Sequence, residues 1–201
     1  MRAVRALLAA LALLSWAPAA LADGLPPVTS ADRSIGRADA PVTVVEYASF
    51  ACPACADWHE MVWPLFKARF VDTGQVRFVF RNLPTAPAQT SITGAALARC
   101  AAPERFFDVA SALMKGQNAV LHGGTYDDWY APAIAASGRT RAQIDACVND
   151  PATRAAIDAD IASARTAGAT HTPSFFVNGR LVADRSFGGL TSAITPLLGG
   201  R

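Results

Sequence analysis

Val42-Thr43-Val44-Val45-Glu46-Tyr47-Ala48-Ser49-Phe50-Ala51-Cys52-Pro53-Ala54-Cys55 decides the fold of this chain. The first part is a strand pattern. It is apolar on both faces except at Glu46, as expected of a central strand covered on both sides. The pattern then changes to that of a helix starting at Cys52, with Pro53 in the first turn, where no N–H partner is needed. Thiol–disulfide chemistry is commonly built on a Cys-x-x-Cys pair at a strand-to-helix junction. Unpaired backbone N–H groups and the positive end of the helix dipole favour a thiolate at Cys52. The thiolate is the nucleophile of disulfide exchange, so the position makes an ordinary cysteine reactive.

Downstream, the helix pattern runs to about Val71, with Pro64 expected to kink or interrupt it, and Asp72-Thr73-Gly74 ends it. Val76-Arg77-Phe78-Val79-Phe80-Arg81 alternates as a second strand, so strand, helix and strand form a right-handed crossover with a parallel pair. From Pro84 to Gly168 the pattern is alanine-rich and helical, with about four or five helices and loops expected at 84–88, 116–125 and 137–140. Pro103 marks one helix start, Thr140-Arg141-Ala142-Gln143 reads as a capping box, Asp150-Pro151 as an N-cap with proline behind it, and Gly168 as a stop. Ser174-Phe175-Phe176-Val177 returns to strand, Asn178-Gly179 is a hairpin signal, and Arg180-Leu181-Val182-Ala183 pairs back. Gly188-Gly189 is expected to break the chain before a last helix near Leu190 to Leu198.

The first 22 residues read as a secretory signal: Arg2 and Arg5, an apolar run from Leu7 to Leu14, and Ala20-Leu21-Ala22 before Asp23. The apolar run is short for a span of about 20 residues, no cysteine near the cleavage site suggests a lipid anchor, and the arginines are not twinned. The chain holds 18 basic and 16 acidic residues, so loss of Arg2 and Arg5 leaves 16 of each. A formally neutral chain gives no electrostatic reason for binding nucleic acid or an anionic membrane. Outside the cytosol disulfides persist. The four cysteines allow three pairings, and the short Cys52–Cys55 spacing favours a local pair, which leaves Cys100 with Cys147.

Two segments together carry a resemblance: Glu46 to Cys55, and Thr170-His171-Thr172-Pro173-Ser174-Phe175-Phe176-Val177-Asn178-Gly179. In this order, and with an export signal, they resemble the DsbA-like thiol:disulfide oxidoreductases, an α/β thioredoxin-like fold with an inserted all-helical domain. The expected organisation is a signal at 1–22, a polar lead-in at 23–34, a discontinuous thioredoxin-like domain at 35–85 and 169–201, and a helical insertion at 86–168. The resemblance implies that Cys52 is the attacking thiol, with a pKa in the range of about 3.5–7.5, and Cys55 the core-facing partner that resolves a mixed disulfide. Pro53 and Ala54 tune the pair. The strongest oxidases of the family carry histidine where Ala54 stands, which puts an extreme oxidising potential in doubt. Pro173 resembles the family's cis-proline, beside which a substrate peptide adds as an extended strand. Thr172 would supply the backbone contact, with His171 at the groove.

Glu46 matches an acid of the family. A buried carboxyl there relays the proton of Cys55 or, alternatively, is satisfied by a nearby basic group. Some members carry a second disulfide in the helical block. A Cys100–Cys147 bridge would close a loop of about 48 residues, worth roughly 4 kcal/mol in the chain-entropy model. His59 shares a helix face with Cys55, but a zinc site needs about four ligands and there is no second Cys-x-x-Cys, so packing is expected and no metal. His122, in a glycine-rich loop, is expected to be solvated. Trp58, Trp63, Phe66 and Phe70 repeat at helical spacing as core or groove lining.

The expected function is periplasmic donation of disulfides to folding exported proteins. It needs no organic cofactor, and by resemblance a DsbB-type membrane partner reoxidises the pair. The short lead-in favours a monomeric oxidase over an isomerase or reductase. A non-catalytic domain whose four cysteines are staples is the alternative from outside the class.

Overall fold

β-Branched and aromatic residues concentrate in two runs, β2 (Val42–Ala48) and β3 (Val76–Asn82), which form the centre of the sheet. The structure is a computed structural model describing residues 24–199, and the signal expected at 1–22 lies outside the described residues. With β1 (Arg33–Ile35), β4 (Ser174–Val177) and β5 (Arg180–Val182), the sheet has the order β1-β3-β2-β4-β5. β2 and β3 are parallel, with Glu46 opposite Phe80, and the remaining pairs are antiparallel.

The crossover between β2 and β3 is α1 (Pro53–Met61), α2 (Trp63–Phe66) and a π-helical turn, Lys67–Val71. Its interruption falls at Val62, just ahead of Pro64, whose ring would collide with the carbonyl of Glu60 in a continuous helix. The π turn closes with the N–H of Asp72 on the carbonyl of Lys67.

Between β3 and β4 lie α3 (Ala88–Arg99), a 3-10 turn (Pro103–Arg105), α4 (Phe106–Leu121), α5 (Tyr126–Ala136), α6 (Arg141–Val148) and α7 (Pro151–Ala167). The expected local signals operate: Thr140 and Gln143 form the capping box, Asp150 caps α7, and Gly168 ends it at φ +71°. Helix α4, however, runs through Gly116, where a loop was expected. That glycine is there for packing: a Cβ would lie 2.7 Å from Trp129 Cδ1. The last helix, α8 (Phe187–Leu198), also starts earlier than expected. Ser186 Oγ caps it by accepting from the N–H of Gly189, and a Cβ on Gly189 would strike the carbonyl of Asp184. The glycine pair thus belongs to the first turn and is not a break. Asn178-Gly179 does turn the β4–β5 hairpin, with φ of 44° and 82°.

Apolar clusters cover both faces of the sheet. One face carries two that adjoin: Phe50, Phe80, Phe106, Leu113, Trp129, Ile144 and Ile157 pack together toward the helical insertion, and Trp58, Trp63, Phe66, Phe70, Phe78, Phe175, Leu190 and Ile194 beside them, with Trp58 stacked on Phe78. The opposite face carries Val45, Tyr47, Val79 and Phe176 under Ala164 of α7. Full burial of one such side chain contributes about 1.5–3 kcal/mol.

The segment expected as a polar lead-in is tied to the sheet. Leu25 and Val28 pack beside Tyr47 and Phe176, and the Arg81 guanidinium donates to the Asp32 carboxylate, the Pro26 and Pro27 carbonyls and the Tyr47 hydroxyl. Burial works against the Asp32 charge, but hydrogen bonds from Arg81 and Thr29 hold its carboxyl below the usual range.

Candidate active site

Cys52 is the N-cap of α1, in an extended conformation, and Pro53 follows as the first helical residue. Cys52 is half-buried, Pro53 and Ala54 are exposed, and Cys55 is fully buried. Both cysteines are free thiols. The alternation follows from the helix: three residues on, the chain has turned the second sulfur inward against the sheet.

The two sulfurs differ sharply as acids. A hydrogen bond from the Cys55 thiol is the chief reason the Cys52 pKa falls from 9.0 to about 5. Half-burial opposes this, and the Thr172 side chain and the N–H groups of Cys55 and Ala54 add to it. Burial pushes the Cys55 thiol well up, and its bond to Cys52 and the Glu46 charge reinforce the shift. The Ser49 N–H, which donates to Cys55 Sγ at 3.5 Å, works the other way. No imidazolium is needed at position 54: the stabilisation is a set of converging donors at a helix mouth.

Across the sheet end, the Thr172–Pro173 peptide is cis, and the Cys52 thiol donates to the Thr172 carbonyl at 3.5 Å. Thr172 and Pro173 are buried, whereas His171 is exposed at the rim, its carbonyl accepting from Ser174 Oγ. Arg185 ties the neighbouring loop in: its carbonyl accepts from Trp58 Nε1 and its guanidinium donates to the Pro173 carbonyl. Beneath Cys55, Glu46 is fully buried and paired with His59, with Nε2 at 2.9 Å from Oε2. His122 is exposed. Among the described residues no group of three or more His, Cys, Asp or Glu side chains gathers as a metal site.

Cys100, at the end of α3, and Cys147, in α6, form a disulfide inside the helical block. It joins the end of α3 to α6.

Three contributors escaped the sequence. Ser49 braces the turn before Cys52: its hydroxyl meets Thr85 and Ser91 and accepts from the Ala51 N–H. Gln117, fully buried on α4, donates to the Phe50 carbonyl at 2.8 Å. His59 is Glu46's buried partner. Only His59 left a signal, its four-residue spacing from Cys55, and its partner sits on another element.

The arrangement is an asymmetric dithiol: one reachable sulfur ionised near pH 5, one sealed sulfur held protonated, and a backbone edge alongside. A sequence profile of the thioredoxin family matches residues 29–195. The fold resembles α-DsbA1 of Wolbachia pipientis, with a TM-score of 0.76, 25% identity, and coverage of 87% of this chain and 94% of that one. BdbD of Bacillus subtilis gives 0.75 at 19% identity, over 88% and 98% of the two chains, a likeness of fold. In sequence, a Rickettsia typhi protein named provisionally as a protein-disulfide oxidoreductase is 27% identical over 81% of this chain and 60% of its own length. The chain thus spans about 60% of the length of that relative. On its fold, its cysteine pair and this profile, the chain belongs to the thioredoxin family, in the DsbA-like group that carries a helical insertion.

Proposed function

We propose that this chain is a periplasmic thiol:disulfide oxidoreductase that introduces disulfides into exported proteins. The observation that carries the reading is the contrast between Cys52, ionised at about pH 5, and the buried, strongly protonated Cys55. In the oxidised enzyme a substrate thiolate attacks Cys52 Sγ, the Cys52–Cys55 bond breaks, and Cys55 leaves and takes a proton. A second substrate thiolate then attacks the substrate sulfur of the mixed disulfide. Cys52 leaves as a thiolate, and the products are an oxidised substrate and a reduced enzyme. A stabilised Cys52 thiolate is a good leaving group and makes the disulfide more oxidising, which favours the oxidase over the reductase or isomerase direction.

The substrate peptide lies along Thr172-Pro173, extended, with the Thr172 backbone as its partner and His171, Pro53 and Ala54 at the rim. Glu46 serves the Cys55 proton. The exchange runs on the chain's own sulfurs, without a cofactor, in a monomer. Export is through residues 1–22, and reoxidation is by a DsbB-type membrane partner. No helix among the described residues is long and apolar enough to cross a membrane.

The test is a glutathione redox titration of Cys52–Cys55 together with a dithiol-peptide oxidation assay. An oxidase is expected well above about −270 mV, the thioredoxin value, with Cys52→Ser abolishing turnover while the fold is retained. A potential at or below that value would turn the assignment to a reductase. Full activity in Cys52→Ser would remove the site altogether.

A further inference from the structure

His59 has no part in the exchange steps above, yet it is buried beneath them. Its side chain is 2% exposed and that of Glu46 is 0%. Nε2 faces both carboxylate oxygens, at 2.9 and 3.2 Å. Nδ1 is buried and has no hydrogen-bond partner among the described residues. The rings of Trp58, Trp63 and Phe80 stand around the imidazole with centroids at 5.2, 6.0 and 6.0 Å. Cys55 is one turn earlier on the same helix face.

Building on the disulfide-exchange reading, we propose that His59 is the second half of a proton relay. It shares one proton with Glu46, and that proton passes to Cys55 as its sulfur leaves Cys52 and returns when Cys55 attacks the mixed disulfide.

A sealed sulfur that alternates between thiol and disulfide needs an internal partner for its proton. A lone carboxylate buried this deeply would be costly, whereas a carboxylate and an imidazole holding one proton between them are together neutral. The ring cage suits the protonated form of His59: aromatic rings attract an imidazolium, and its Nδ1–H can point at a ring where no oxygen is in reach. The neutral form keeps its single N–H on Nε2, toward Glu46. The step balances. Substrate thiolate, the Cys52–Cys55 disulfide and the protonated pair become a substrate–Cys52 disulfide, a Cys55 thiol, and a Glu46 carboxylate accepting from neutral His59. No proton is drawn from solvent. The ionisable groups meeting here are Glu46 from β2 and Cys55 and His59 from α1, with Cys52 beyond. β3, β4 and α2 present the rings of Phe80, Phe175 and Trp63, and α4 packs Phe106 on Phe80 and Phe107 on Trp63. His59 acts through Glu46 and is a positioning residue.

The test follows Cys55 attack on a Cys52–glutathione mixed disulfide by stopped flow from pH 6 to 8. With an internal acceptor, the wild-type rate is expected to be nearly flat. In His59→Gln, which keeps an N–H donor but carries no transferable proton, the rate at pH 6 should fall at least tenfold and then rise about tenfold per pH unit. The Cys52 ionisation midpoint should stay where it is. Glu46→Gln should reproduce the profile, and the double variant should add little. A wild-type rate that itself climbs tenfold per pH unit would overturn the relay without any variant. So would a His59→Gln profile matching wild type. If the wild-type protein forms no mixed disulfide at Cys52, the exchange reading itself fails, which is a separable result.

Discussion

Replacing Cys55 with alanine should raise the ionisation midpoint of Cys52. The hydrogen bond from the Cys55 thiol is the largest contribution holding Cys52 at about 5. Hydrogen bonds to charged groups contribute about 1.5–3 kcal/mol, which at about 1.36 kcal/mol per pH unit is roughly one to two units. The midpoint should therefore move to about 6–7, read from thiolate absorbance at 240 nm or from the pH dependence of iodoacetamide alkylation. Cys55→Ser, which keeps a donor, should stay nearer wild type. The same ionisation sets a stability profile for the reduced protein. The folded pKa is depressed, so the stabilisation is complete above about pH 9 and is lost as pH falls through about 5. At pH 7, two units above the midpoint, the gain is about 2.7 kcal/mol before solvent screening and about 1–2 kcal/mol once half-exposure is allowed for. The oxidised protein lacks this contribution. A Cys55→Ala midpoint within 0.3 pH units of wild type, against the ~1–2 expected, would show that the helix mouth alone ionises Cys52 and would refute the account.

Removal of the second disulfide as Cys100→Ala/Cys147→Ala should lower stability to denaturant by about 4 kcal/mol while leaving the Cys52 midpoint unmoved; a shifted midpoint would mean the bridge tunes the site. Gly94→Ala, though it replaces a poor helix former, should destabilise by about 1–3 kcal/mol in urea melts. Its Cβ would lie 2.7 Å from Phe50 Cβ, and a stabilised variant would show that the packing yields.

Much of this protein was legible in its sequence because the signals are local. A strand of uniform burial, a proline at a helix start, a capping box and an Asn-Gly turn act over a few residues, and the structure has each where the pattern put it. The cysteine pair at a helix start likewise announced its chemistry. Other features depended on residues far apart in the chain. Gly116 reads as a loop residue until Trp129 is folded against it. Residues 23–34 read as a polar lead-in until Arg81 reaches Asp32 and two proline carbonyls. His59 reads as packing until β2 brings Glu46 beneath it.

Residues adjacent in the chain settle which atom can react and much of its acidity, because the sulfur sits at a helix N-terminus within reach of the Cys55 thiol and the N–H groups of Ala54 and Cys55. What surrounds the pair was decided only by tertiary structure: Cys55 is sealed against the sheet near the Glu46 carboxylate and its partner His59, and Thr172 stands beside Cys52. Those groups lie on separate elements and meet only once the sheet has closed over the helix.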